Sequence, residues 1–237
     1  MTRELVYGRR PVREVLRAGR RQILELLVTE RALAAEPWLR EVKGLRIQVV
    51  RDARLNEEGR TRDHQGVVAW CEPYRYADAH EIAAAERPLL VCLDQVSDPH
   101  NLGAVCRSAE GAGASGVVVL EHKAARVTPT VCKASAGAVE HVSVAIVVNL
   151  ARYLDEVKGP ELWVWAAAGD AKTTVWSADF VTGTALVFGA EGRGIRPGVR
   201  RACDEAFAIP LTGRVESLNV SVAAGVALFE AARQRAG

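Results

Sequence analysis

The segment Ile209-Pro-Leu-Thr-Gly-Arg-Val-Glu-Ser-Leu-Asn-Val-Ser221 decides how this chain is read, because it sets a polar Ser-Leu-Asn step between a short apolar strand and a C-terminal helix. Upstream, Ala206 to Ile209 reads as a buried strand that Pro210 stops, and Pro210 to Gly213 as a turn. Downstream, Leu218, Val222, Gly225 and Phe229 recur at helical spacing and predict a packed helix, leaving Glu230, Arg233 and Arg235 for its other face. Polar side chains thus emerge where a strand ends. Ligands of open α/β sheets bind at that carboxyl edge, which makes Ser217 and Asn219 candidate contacts. The plainer alternative makes Ser217 a helix cap and leaves Asn219 without a role.

Working outward, strands are predicted at Leu89 to Leu93, Gly116 to Leu120, Val142 to Val147, Leu162 to Ala166 and Ala185 to Phe188, with helical segments between them. Near-continuous apolar strands separated by helices indicate a parallel sheet covered on both faces. The front of the chain reads as helix (Arg10 to Ala18), strand (Ile23 to Val28), helix (Ala32 to Val42), strand (Ile47 to Val50), a short helix after Asp52 and a strand (Val67 to Cys71). The predicted fold is therefore two-domain α/β: a small α/β/α domain at 1–72, a linker at 73–87 and a parallel-sheet domain at 88–237.

Composition narrows the class. The 237 residues are 49% apolar and 25% charged, as in an ordinary globular protein. No run of about eighteen apolar residues occurs and the N-terminus lacks the apolar core of a signal peptide, so a cytoplasmic protein without a membrane span is expected. Five scattered cysteines, never in a Cys-x-x-Cys pair, disfavour both a disulfide framework and a zinc site and read as reduced core residues; no metal is expected. The net charge of +2 conceals a basic front, where residues 1–72 hold 15 Lys+Arg against 11 Asp+Glu. All but Lys43 of those 15 are arginines, whose planar guanidinium suits phosphate, so nucleic acid is a candidate partner and solvated surface charge the alternative.

Two more motifs stand at strand ends. The first strand runs into Asp94-Gln-Val-Ser-Asp-Pro-His-Asn101-Leu-Gly-Ala-Val-Cys-Arg107, where Asn101 is placed to cap a helix with Leu102, Val105, Cys106 and Ala109 as its apolar stripe. Arg107 points away from that stripe, beside Gly103 and Ala104, which leave room for a phosphate or ribose. The second motif, Phe188-Gly-Ala-Glu191-Gly192-Arg-Gly194-Ile-Arg196-Pro197, puts three glycines and a carboxylate after an apolar strand. It is neither a phosphate-binding Walker loop nor a dinucleotide fingerprint, which disfavours a nicotinamide-dependent oxidoreductase.

These motifs, in this order, resemble the SpoU (TrmH) class of the SPOUT RNA methyltransferases: Asn101-Leu-Gly-x-x-x-Arg107, then Phe188-Gly189-x-Glu191-Gly192-x-Gly194, then Ile209-Pro-Leu and Ser217-Leu-Asn219-Val-Ser221. At the front, Gly8-Arg-Arg-Pro-Val-x-Glu-x-Leu16 and His64-Gln-Gly66-Val-Val-Ala69 resemble the accessory RNA-binding domain of the RlmB type, a ribosomal-protein-like fold. The resemblance implies S-adenosyl-L-methionine as methyl donor, a homodimer, and a deep trefoil knot in the C-terminal domain. It implies cofactor contacts from Gly189, Ile209 and Leu218, and ribose 2′-O-methylation served by Arg107, Asn101, Glu191, Ser217 and Asn219, with Glu191 a possible partner of Arg107. Arg107 enters either as base or as electrostatic clamp. Arg9, Arg10, Arg20 and Arg21 would meet the RNA, for which a guanosine of 23S rRNA is expected; a tRNA enzyme, a resistance-type rRNA methyltransferase and a catalytically silent RNA-binding protein are the alternatives.

Overall fold

The computed structural model describes residues 2–42 and 44–236, which form two compact units. The first comprises Met1–Arg75 with Val127–His141, the second Tyr76–Arg126 with Val142–Gly237.

The first unit runs β1 (Glu4–Tyr7), α1 (Arg9–Ala18), β2 (Ile23–Val28), α2 (Glu30–Ala35), α3 (Trp38–Glu41), β3 (Ile47–Val49), α4 (Asp52–Gly59) and β4 (Val67–Cys71). Its sheet is ordered β1-β4-β2-β3, with β4 antiparallel to both neighbours and β2 parallel to β3. Strand β1 is an addition to the sequence reading; four residues of mixed burial carry no clear alternation. The helix expected over Ala32 to Val42 is two helices, because Pro37 lacks the amide hydrogen that would continue the first.

The second unit begins with α5 (Ala79–Ala83), β5 (Leu89–Asp94), α6 (Pro99–Gly111) and β6 (Gly116–Leu120). The chain then gives α7 (Pro129–Ala134) and a 3-10 turn at Ala138–Glu140 to the first unit. It returns through β7 (Val144–Val147), α8 (Leu150–Val157), β8 (Leu162–Ala167), β9 (Thr173–Thr174), β10 (Gly183–Gly189), α9 (Pro197–Ala202), β11 (Glu205–Ala208) and α10 (Val220–Ala236). These strands form a seven-stranded parallel sheet ordered β7-β6-β5-β10-β8-β11-β9. Every residue of β5 and of β6 is buried, as expected for strands covered on both faces.

The strand order reverses between β5 and β10, which lie side by side with Gly189 opposite Asp94. Loops leaving those two strand ends must diverge, and the crevice between them is where α/β sheets hold ligands. Helix α10 packs against α6, but through a different face from the one expected. Val220, Ala224, Ala227, Leu228 and Ala231 are buried, whereas Val222 and Phe229 are about half exposed. The alanines allow close approach of the helix, so the small face turns inward and the bulky one is left outside.

All five cysteines are free and buried, and burial raises each thiol pKa, to about 12 for Cys106. They are inert core residues rather than nucleophiles. Among the described residues no helix is long and apolar enough to cross a membrane, and no group of His, Cys, Asp or Glu is placed to hold a metal ion.

Candidate active site

Asp98 closes the loop after β5 and begins α6, its carboxylate accepting from His100 N (2.8 Å). Asn101 is therefore not the cap that the sequence suggested; it sits in the first turn with its amide free for other partners. Those partners come from the other two motifs. Asn101 Nδ2 donates to Glu191 Oε1 (3.0 Å), and Asn219 Nδ2 donates to both Asn101 Oδ1 (2.9 Å) and Glu191 Oε1. Three segments separated by 28 to 118 residues thus meet in one hydrogen-bonded cluster.

Asn219 serves a second purpose. Its Oδ1 accepts from Ser221 N (2.9 Å) and Ser221 Oγ (2.6 Å), so Asn219, not Ser217, occupies the capping position. Capping orients the side chain; the remaining amide hydrogens then have one direction to point, toward Asn101 and Glu191. Ser217 lines the neighbouring cavity instead.

The glycine-rich loop owes its position to a buried carboxylate outside the three motifs' polar positions. Asp94, fully buried at the end of β5, accepts from Arg196 N (2.8 Å) and Arg196 Nε (2.8 Å) and pairs with Arg196 Nη2 (2.7 Å). The sequence signal was a charged residue ending an otherwise apolar strand, and an arginine just before Pro197. Between the anchors, Gly192 and Gly194 adopt left-handed φ of 74° and 63°, and a Cβ on Gly189 would fall 2.0 Å from the Gly194 carbonyl carbon. The loop folds onto its own strand end, which only glycine permits.

The cluster lies between two cavities. One, of about 610 Å³, is lined by Phe188, Gly189, Gly192, Gly194, Ser217 and Leu218, and is flanked by an apolar recess with Phe207, Ile209 and Leu211. The other, of about 420 Å³, is lined by Gln95 to Asp98, Asn101, Lys123, Glu191 and Arg193. Glu191 and Val220 border both.

Arg107 does not join the cluster. It is exposed, without a hydrogen bond or ion pair among the described residues, and Glu191 has the two asparagines as partners instead. Six residues after Asn101, it stands roughly 9 Å further along α6 and about a third of a turn around it.

On the first unit, Arg10 and Arg20 are exposed, and Arg9 borders a recess of about 340 Å³ with Arg31, Arg62, His64 and Gln65. Arg21, expected to meet RNA, is a correction. It is 5% exposed, its guanidinium paired with the equally buried Glu140 and with Glu4. A charge so placed is committed to its internal partner, and the Glu140 carboxylate holds its pKa above the ordinary value although burial works in the opposite direction.

A parallel sheet with a glycine-rich loop and two cavities at its switch point defines an α/β enzyme of the cofactor-binding kind. The chain belongs to the SpoU rRNA methylase family, which it matches over residues 88–229. Residues 5–77 match the RNA 2′-O ribose methyltransferase substrate-binding family. The 23S rRNA (guanosine-2′-O-)-methyltransferase RlmB of Pectobacterium atrosepticum is 39% identical over 99% of both chains. The crystal structure of the SpoU methyltransferase AviRb from Streptomyces viridochromogenes in complex with the cofactor AdoMet superposes with a TM-score of 0.82 at 29% identity, covering 98% of this chain and 90% of that one. The TrmH/SpoU tRNA-modifying enzyme of A. aeolicus covers 66% of this chain and 80% of its own, with a TM-score of 0.56 at 29% identity.

Proposed function

We propose that the protein is an S-adenosylmethionine-dependent RNA ribose 2′-O-methyltransferase whose acceptor is a guanosine of 23S rRNA. The observation that carries this reading is the Asn101–Glu191–Asn219 cluster at the boundary of a glycine-lined cavity and one lined by two cations and two carboxylates. The full-length match to an enzyme named for that acceptor favours it over a tRNA, since the tRNA-modifying relative matches only part of the chain.

The residues around the larger cavity suit the donor. Its volume lies within the roughly 300–1,000 Å³ typical of small-molecule sites. Gly189 and the turn after it bring backbone amides to the cavity wall, and Ile209 and Leu218 supply apolar surface for an adenine. Bound there, the cofactor supplies a methyl group activated by its sulfonium.

The chain's own contribution is alignment and charge. The acceptor oxygen must approach in line as its bond to carbon forms and the carbon–sulfur bond breaks, and positioning of this kind is worth several kcal/mol, on the order of 7–11 at most. Glu191 Oε1 is held by two amides, while its Oε2 has no partner among the described residues and is the acceptor available to the hydroxyl proton. Arg107, exposed and unpaired among the described residues, stabilises phosphate or developing alkoxide, because a guanidinium offers five donors in a fixed fork and no acceptor.

We further assign RNA contacts to Arg9, Arg10 and Arg20, joined by Arg31 and Arg62 of the basic recess. A homodimer would cover the exposed Val222 and Phe229 of α10, the family's trefoil knot would thread the segments that carry Gly189 and Leu218, and five reduced thiols fit the cytoplasm. Mapping ribose methylation across total RNA with and without the gene tests the function. Loss of one 2′-O-methylguanosine from 23S rRNA, restored on an unmodified transcript by the purified protein, is expected; an unchanged map refutes the reading.

A further inference from the structure

The smaller cavity carries charge that the cofactor reading does not use. Lys123 and Arg193 both line it, both are exposed, and neither makes a side-chain hydrogen bond or ion pair among the described residues. Two carboxylates share the cavity, each with one oxygen engaged: Asp98 Oδ1 accepts from His100 N, and Glu191 Oε1 accepts from Asn101 and Asn219.

The cations are mounted on constrained loops. Lys123 has a left-handed φ of 59° and Gln95 one of 62°, conformations that a non-glycine residue keeps only where its surroundings impose them. Ala125 N donates to Val96 O (2.9 Å) and Arg126 Nη2 to Glu121 O (2.7 Å), tying the Lys123 loop to itself and to the loop after β5. Arg193 stands in a turn closed by Gly194 N to Ala190 O (2.9 Å), downstream of which Arg196 is anchored on Asp94. Long cations normally spread over a surface; here two are brought from opposite loops to one concavity beside the polar cluster.

We propose that this cavity seats a single unstacked nucleotide of the RNA, with Lys123 and Arg193 as positioning residues that hold the phosphodiesters flanking its ribose. The inference rests on the methyltransferase reading and names the acceptor side of that same site. A recess of about 420 Å³ takes one extruded nucleotide and no duplex, so the acceptor must be unpaired or flipped. Fixing the phosphates on both sides presents the 2′-oxygen to the Asn101–Glu191–Asn219 boundary without reading the base.

The test is steady-state methyl transfer to an unmodified 23S rRNA transcript by wild type, Lys123→Gln, Arg193→Gln and the double variant, across a salt series. Each single change should raise KM for RNA about tenfold and flatten the slope of log(1/KM) against log[salt] by about 0.7, the increment for one phosphate contact on a single strand. Cofactor affinity by calorimetry should stay at the wild-type value. A methylphosphonate beside the mapped acceptor in an oligonucleotide should cost wild type as much as the matching cation deletion, and cost that variant nothing more. Unchanged KM and salt slope in both variants, or loss of cofactor binding with them, would overturn the proposal. If wild type transfers no methyl, the functional reading fails separately; RNA binding in the presence of S-adenosylhomocysteine still reads the cations, and equal salt slopes there refute their role.

Discussion

Replacing Arg196 by methionine isolates the contact on which the glycine-rich loop depends. The substitution keeps the apolar length of the side chain and the backbone bond from residue 196 to Asp94 Oδ2, but removes the Nε bond (2.8 Å) and the Nη2 contact (2.7 Å) to a fully buried carboxylate. Removing one partner of a buried pair costs about 3–5 kcal/mol, because the other charge is left uncompensated. Two features reduce that figure here: the surviving amide bond, and the 44% exposure of the Arg196 side chain, which lets water reach the vacated place. A loss of about 2–3 kcal/mol follows. It will be divided between global stability and loop order. If Asp94 recovers solvation by releasing the loop, cofactor binding must re-form the closed arrangement, and 2–3 kcal/mol corresponds to roughly 30–150-fold weaker binding. Denaturant unfolding and titration calorimetry with S-adenosylmethionine measure the two parts. Wild-type cofactor affinity together with an unchanged unfolding midpoint would refute the reasoning, since the buried charge would then have found compensation that the geometry does not provide.

Asn219→Ala removes a helix cap and two cluster bonds at once; about 1 kcal/mol of stability should be lost, with methyl transfer falling more steeply than cofactor affinity, as parallel melting and turnover assays would show. Arg21→Met should destabilise the chain by about 3–5 kcal/mol in chemical denaturation, because it strands Glu140, while the exposed Arg20→Ala should leave the unfolding midpoint in place and weaken RNA binding in a salt-dependent way. His64 is buried, its Nδ1 accepting from Gly66 N (2.9 Å), and burial, aided by Lys133, lowers its pKa below the ordinary 6.5. The unfolded chain therefore binds the extra proton first, so the contribution of neutral His64 is complete above about pH 6.5 and drains away below it; the fall in melting temperature from pH 7.5 to 5.5 should be smaller in His64→Gln.

Local pattern carried most of the architecture. Ile23–Val28, Val67–Cys71 and Gly116–Leu120 form the strands expected of them, because an apolar run bounded by turn residues has few other ways to bury itself. Short elements such as β1 and the two-residue β9 left no such mark and form by pairing with neighbours already in place. The motif residues were legible too, since polar groups at strand ends stand out against apolar surroundings. Asn101, Glu191 and Asn219 do meet.

What the chain order determined by itself was which segments are strands and helices and which polar residues they deliver to the sheet's carboxyl edge, because those depend on neighbours a few positions away. Tertiary structure alone decided that Asp98 and Asn219 are the caps, that Asp94 clasps Arg196, that α10 buries its alanines and exposes Phe229, and that Arg21 faces Glu140 while Arg20 faces water. In each case the outcome turns on which distant group removes a side chain from solvent, and adjacent arginines in a sequence carry no record of that partner.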